Sequence, residues 1–334
     1  MSDKLRTLHV GLGPIGAEIA RLVLRRDDME IVGAVDVGPG KVGADLGEVI
    51  GLPRRLGIAV AGTVEAALPE RGADIAIHAT GSHLPQVYPQ LVQLIEHGLN
   101  VISTCEELAY PAWQHPELAR KLDRLAGEHG VTVLGTGVNP GFVMDRLPVT
   151  LTGVCQEVRS LRVTRVVDSA RRRLPLQQKT GAGLTVAEFE ARVRAKTIQH
   201  VGLPESVALI AKALGWKLDE VRETIEPVIA DRPLSSEFMQ VEPGRVAGLH
   251  QVARGLVGGR EVITLDLGMT LQAEDPRDEV QIEGTPPVHM VIPGGVHGDR
   301  ATAAVIVNSI PQVAAAPPGL VTFLDLPAAA GVGG

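Results

Sequence analysis

Aromatic residues are scarce in this 334-residue chain: four Phe, two Trp and two Tyr, 2% of the sequence. So few rings exclude stacking platforms for single-stranded nucleic acid and leave any core to aliphatic side chains. Cysteine is scarcer still. Cys105 and Cys155 are too few for a disulfide framework and lack metal-ligand spacing, which fits a reducing, cytoplasmic setting. Basic residues are outnumbered, 32 Lys and Arg against 39 Asp and Glu for a net charge of −7, so a general phosphate-backbone binder is excluded. No stretch approaches the roughly 18 apolar residues of a membrane span. The first residues, MSDKLRTLHVGLGPIG, lack a cleavable leader pattern, because glycines interrupt the apolar run at once. His250, His289 and His297 form no HxH or HxxxH pair, so no metal is expected.

What is present is a globular composition, 45% hydrophobic and 21% charged, long enough for about two domains. Through residue 135, short apolar runs (8–11, 31–36, 58–60, 75–80, 101–104, 131–134) alternate with helical patterns (15–25, 64–68, 87–97, 117–129). Continuous apolar strands separated by helices predict a doubly wound parallel sheet, the Rossmann type of α/β fold. Beyond it the texture changes to that of a second, α+β domain. A long strand is expected at 158–167, a basic loop at 171–183, and a helix behind the capping box Thr185–Glu188. Further helices are expected at 204–214 and 218–228, then a hairpin turning on Gly258-Gly259 within 246–271. The alanine- and valine-rich helix at 297–310 should return to the first domain. The expected boundaries are therefore 1–140, completed by about 298–334, and 141–297 for the second domain.

Gly11-Leu12-Gly13-Pro14-Ile15-Gly16 follows an apolar strand, opens a helix, and is followed about twenty residues on by Asp36 at the end of the second strand. That context makes GxGxxG a dinucleotide fingerprint. Gly11 allows the tight turn, Gly13 the close approach of the pyrophosphate, and Gly16 the packing of helix on sheet. Asp36 at the ribose hydroxyls favours NAD; Lys41 nearby could neutralise a 2′-phosphate, so the cofactor is NAD or NADP. Thr80-Gly81-Ser82 ends another strand at the same carboxyl edge and should flank the nicotinamide side.

The next strand leads into Cys105-Glu106-Glu107. A carboxylate in a half-apolar cleft suits a proton shuttle, and Glu106, first off the strand, is the catalytic candidate. Cys105 has no activating histidine nearby in sequence and reads as lining the cofactor cleft. Asn139, before Pro140, is either a ligand for the carboxamide or substrate or a simple turn residue. Arg165, on an apolar strand, either meets a substrate carboxylate or pairs with an acid. His200 lies between helices, and Phe142 is a candidate pocket wall.

The strings VGLGPIG, AVDVGPGKVGADLGEVIG, HATGS, VISTCEELAYP, GTGVNPGFVMD, QHVGLPESV and GGVHGDRATAAVIVNSIP together resemble the 2,4-diaminopentanoate dehydrogenases and related native amine dehydrogenases, within the dihydrodipicolinate-reductase-like Rossmann group. The resemblance runs from Leu8 to about Pro311. It implies NAD(P)-dependent oxidative deamination of an amine or diamino acid to a ketone, or reductive amination of the ketone with ammonia. It maps the catalytic glutamate to Glu106 and places Asn139, Phe142, Arg165 and His200 around an amine pocket. It also implies a homodimer formed through the second domain. The alternatives are a related reductase acting on an alcohol or cyclic imine, and a dinucleotide-binding sensor without chemistry.

Overall fold

The computed structural model describes residues 4–333. They form two compact units, one of residues up to 142 together with 297 onward, the other Val143–Val296.

The first unit begins with β1 (Leu5–Val10), α1 (Pro14–Val23), β2 (Met29–Val35), α2 (Leu46–Val49), β3 (Val60–Ala61), α3 (Val64–Ala67), β4 (Ile75–His78), α4 (Leu84–Glu96), β5 (Asn100–Ser103), α5 (Pro116–His129) and β6 (Thr132–Gly135). A 3₁₀ turn, Glu106–Ala109, follows β5. The second unit holds α6 (Arg146–Thr152), β7 (Glu157–Asp168), α7 (Leu174–Lys179), α8 (Val186–Arg194), α9 (Leu203–Ala213), β8 (Glu220–Ile229), β9 (Leu234–Ser235), β10 (Gln240–Val241), β11 (Val246–Val257), β12 (Arg260–Thr270), β13 (Arg277–Thr285) and β14 (Val288–Pro293). The chain then adds α10 (Gly298–Ala315) and β15 (Gly319–Val321) to the first unit.

The first sheet has seven strands in the order β15-β6-β5-β4-β1-β2-β3, every pair parallel. Strand order reverses between β1 and β4, and ligands of such sheets bind at the carboxyl ends beside that reversal. Local chemistry sets the helix ends. Pro14 opens α1 where a missing N–H costs nothing, and Gly130 closes α5 in the left-handed region at φ 69°. The buried face of α10, with Ala303, Ile306, Val307 and Ile310, joins the core beneath α1 formed by Ile19, Ala20 and Val23.

The second sheet is mixed, in the order β14-β13-β7-β12-β11-β8, with β7 and β12 its one parallel pair. Gly258 and Gly259, both at positive φ, make the β11–β12 turn, and Thr185 and Glu188 form the reciprocal capping box of α8. One face carries Leu161, Val163, Ile263, Leu265, Val280 and Ile282 into the core, and α9 packs on this sheet. The opposite face carries interspersed charge, including Arg162–Asp266 at 2.8 Å, His250–Asp266 at 2.7 Å and His289–Glu279 at 2.9 Å.

One expected helix is a strand. Residues 218–228 place Leu218, Val221, Ile225 and Val228 at helical spacing, yet they run into the edge strand β8. Proline at 227 favours an edge strand over a helix interior, and the β-branched residues suit a pleated surface. The expected strand at 58–60 is also shorter, because Asp45 accepts the N–H groups of Leu56 and Gly57 at 2.8 Å and holds that stretch as a turn. Among the described residues no helix is long and apolar enough to cross a membrane, and no group of three or more His, Cys, Asp and Glu side chains is arranged to hold a metal ion.

Two imidazoles lie inside the first sheet. Burial lowers His9 to about 3 and His78 to about 4. The unfolded chain, with ordinary histidines near 6.5, therefore takes up protons before the folded one does. Stability is complete above that value and falls as pH drops from about 6.5 toward 4, by up to ~1.4 kcal/mol per pH unit for each ring. Unfolding midpoints should fall between pH 7 and pH 5, above the range where carboxylates titrate, and His78→Asn should flatten part of that slope. A midpoint unchanged over this interval would refute the argument.

Candidate active site

At the carboxyl edge of the first sheet the three glycines of the β1–α1 turn meet different surroundings. Gly11 has φ 89°, and a Cβ there would stand 2.5 Å from the Ala79 carbonyl oxygen. A Cβ on Gly16 would stand 1.9 Å from the Gly11 carbonyl oxygen, so the turn and α1 close only on glycine. A Cβ on Gly13 would meet nothing within 4 Å. Two glycines thus serve the protein's own packing, and the third borders open space at the start of α1. That helix has no side-chain cap and no acid in its first turn, leaving the N–H groups near Ile15 and its positive end for an anion. The donor set fits a dinucleotide pyrophosphate.

Asp36 binds this turn together. Its Oδ2 accepts the Leu12 N–H at 2.7 Å, and its Oδ1 accepts the Gly38 N–H at 2.6 Å. Lys41 Nζ donates to Asp36 Oδ2 at 2.9 Å and to the Leu12 carbonyl at 3.1 Å. Burial alone would raise the Asp36 carboxyl, but the Lys41 ammonium and the Gly38 and Leu12 amides outweigh it and hold the group below the usual carboxylate value. The acid expected at the ribose is thus also the clasp of the glycine turn, with Lys41 already on it.

Between β4 and α4, the Thr80 hydroxyl bonds Gln90 Oε1 at 2.6 Å and His78 Nε2 at 2.8 Å. His78 Nδ1 reaches Ser103 Oγ at 2.8 Å, and Ser103 Oγ in turn accepts the Cys105 N–H at 3.1 Å. The Ser82 carbonyl accepts from Cys105 Sγ at 3.3 Å. Burial pushes the Cys105 thiol up to about 12, which removes it as a nucleophile at neutral pH.

The two glutamates after β5 part company. Glu107 is buried and accepts from the Leu84 N–H at 2.7 Å, His83 Nδ1 at 2.7 Å and His115 Nε2 at 2.9 Å. Glu106, the first residue of the 3₁₀ turn, is half-buried. Nothing in the sequence marks His83 and His115, which stand 24 and 8 residues from Glu107 in no recurring pattern. Their one signal is position, each being the N-cap residue of a helix with a proline in its first two positions.

Asn139 is buried in the loop after β6, before a cis peptide bond to Pro140, and Val138 N donates to Thr302 Oγ1 of α10 at 3.3 Å. Phe142 is partly exposed at the end of that loop. Arg165 and His200 belong to the second unit. Arg165 Nη1 donates to Asp278 Oδ1 at 2.9 Å, and Nη2 to the Val296 carbonyl at 2.7 Å. The Gln251 side chain brackets the His200 backbone at 2.7 and 2.8 Å, while the ring Nδ1 is buried without a hydrogen-bond partner. Burial, with Lys179 and Arg165 adding to it, lowers this imidazole to about 3 and keeps it neutral.

Comparison with known proteins decides the family. Residues 142–334 match the model of the 2,4-diaminopentanoate dehydrogenase C-terminal domain, and residues 7–105 match the dihydrodipicolinate reductase N-terminus. The 2,4-diaminopentanoate dehydrogenase of Acetoanaerobium sticklandii is 38% identical across 97% of this chain and 94% of its own length. The chain belongs to the 2,4-diaminopentanoate dehydrogenase family. An amine dehydrogenase of Streptomyces virginiae is 25% identical over 98% of each chain. The structure of amine dehydrogenase from Mycobacterium smegmatis superposes with a TM-score of 0.86 at 30% identity, over 99% of this chain and 98% of that one. Membership in the family carries the enzyme class: the chain is an NAD(P)-dependent oxidoreductase.

Proposed function

We propose that this enzyme oxidatively deaminates an amine or diamino acid of the 2,4-diaminopentanoate kind to a ketone, and in reverse aminates the ketone with ammonia. One observation carries the reading at the residue level: of two adjacent carboxylates at the sheet's carboxyl edge, Glu107 is committed to three donors while Glu106 is half-buried. Glu106 is therefore the proton shuttle. Bound NAD(P) supplies the hydride acceptor. An ammonium cannot release hydride from its carbon, because its nitrogen lone pair is held in an N–H bond. Glu106 takes that proton, so that the lone pair can assist hydride loss and leave an iminium, and Glu106 then releases the proton to solvent. Glu106 next takes a proton from water as its oxygen adds to the iminium carbon and hands it to nitrogen, so that ammonia departs while the hydroxyl proton passes to solvent and the ketone remains. A carboxylate beside the cationic iminium also stabilises the charge developing at the transition state.

Asn139 and Phe142 are proposed substrate-binding residues, and so is His200, because a buried, neutral ring with an unsatisfied Nδ1 suits a polar substrate group. The same reading gives Arg165 its charge partner in Asp278 rather than in the substrate. The intermixed charges on the open face of the second sheet suit a second copy of this chain, so a homodimer is proposed. The free cysteines Cys105 and Cys155 suit a reducing cytoplasm.

NAD(P)H formation with a panel of amines, diamino acids and alcohols at alkaline pH tests the function. Amines turned over and alcohols inert is the expected result. Inactivity toward every amine, with cofactor binding retained, would leave a sensor. Cofactor choice has its own test. Asp36→Ala should raise NADPH affinity relative to NADH, as read by nicotinamide fluorescence, because the carboxylate no longer opposes a 2′-phosphate and Lys41 remains. Both affinities should fall somewhat as Leu12 and Gly38 lose their acceptor. An unchanged ratio would remove Asp36 from the ribose.

A further inference from the structure

Glu107 has no step in the reaction above, yet the residue is only 7% exposed and its carboxylate gathers three donors. With the carboxylate as acceptor, His83 donates from Nδ1 and His115 from Nε2. The donors come from two segments, one on each side of Glu107 in the chain. His83 and Leu84 enter α4, and His115 is the N-cap residue of α5. The backbone adds to this convergence: Glu107 N donates to the Ser82 carbonyl at 3.3 Å, the same oxygen that receives Cys105 Sγ. Behind the turn, Gly135 of β6 lies so close that a Cβ would stand 2.4 Å from the Leu108 carbonyl carbon. The turn is thus held at its side chain, at its backbone and from behind, and its first residue is Glu106.

The geometry assigns Glu107 as a positioning residue, whose carboxylate, gripped by His83, His115 and the Leu84 N–H, fixes the direction in which Glu106 leaves the strand. This inference rests on Glu106 being the proton shuttle. A buried acid with two imidazoles is far more than a four-residue turn needs to close, since taking a charge out of water is costly unless it is fully partnered. It is what a proton-transfer geometry needs, because misplacement by about 1 Å can cost on the order of 10²-fold in rate.

Three substitutions test it by steady-state kinetics alongside NADH titration. Glu107→Gln keeps the shape but loses an acceptor oxygen. His115→Leu removes one donor. His115→Gln restores an amide N–H near the place of the ring Nε2–H. In the first two, kcat should fall by roughly 10- to 10²-fold, with KM for the amine and Kd for NADH little changed, and His115→Gln should recover most of the loss. A purely structural role would instead lower NADH binding and the melting temperature along with kcat, and that result, or unchanged kcat in both variants, would overturn the proposal. Glu106→Gln in the same assay separates the two readings. If it loses turnover while the Glu107 and His115 variants do not, only the positioning role fails; if it retains turnover, the catalytic reading fails and this inference with it.

Discussion

Glu106→Gln should lower turnover by ~10²–10⁴-fold, the usual worth of a positioned acid–base group, and should leave NADH binding near its original strength. The substitution is nearly isosteric, so the 3₁₀ turn should keep its backbone course. On the proposed mechanism it removes the ability to take the ammonium proton, without which the nitrogen lone pair cannot assist hydride loss. The loss should lie in kcat more than in KM, because an amide can still hydrogen-bond a bound amine. Raising the pH should recover part of the rate, since bulk hydroxide then generates the free amine. Pre-steady-state NADH formation in Glu106→Gln is the direct measurement. If Glu107→Gln is the inactive variant and Glu106→Gln turns over, the assignment is off by one residue. If both turn over freely, no acid here moves the proton.

The second large effect is on stability. Arg165→Met should destabilise the second unit by roughly 3–5 kcal/mol, the cost of leaving one partner of a buried ion pair alone. The side chains of Arg165 and Asp278 are 5% and 1% exposed, and the Val296 N–H donates to Asp278 Oδ2 at 2.7 Å. Burial lowers the proton affinity of the guanidinium and raises that of the carboxyl, and each charge opposes the other's shift. With the arginine gone, Asp278 keeps one amide donor and must protonate or draw in water. Chemical denaturation should show the loss, and Arg165→Met/Asp278→Leu should restore much of it, because a well-packed apolar pair often replaces a buried ion pair without penalty. Unchanged stability with a raised KM for carboxylated amines would instead return Arg165 to the substrate.

That ion pair also shows where sequence reasoning runs out. β7 and β13 each carry one charged residue among apolar ones on the buried face, and nothing local says that Arg165 and Asp278 meet. The first sheet was legible because its strands are buried on both faces and read as uninterrupted apolar runs between capped helices. β8 was not. Its inward alternation of Val221, Ile225 and Pro227 is broken by Glu223, whose acceptor role toward Gln251 Nε2 at 2.9 Å depends on a residue of another strand. β13 and β14 were not legible either: β13 is interrupted by charged residues, and β14 is a six-residue edge strand with a histidine in it. At the site, the glycine turn, Asp36 and the glutamate pair were readable from position alone. The histidines that tell Glu106 from Glu107 were not, because their meaning lies in a convergence of loops.

The placement of α10 and β15 has a consequence for the order of folding during synthesis. The buried face of α10 and the edge strand on β6 come from residues 298–321, the last stretch of the first unit to leave the ribosome. Every strand of the second sheet is by then already made, so the middle of the chain can fold while the beginning still waits for its closing helix. Folding the middle first shortens the effective loop that α10 must span to reach α1, and so lowers the entropic cost of that closure. In the nascent chain, the nucleotide-binding half that is begun first is the half completed last.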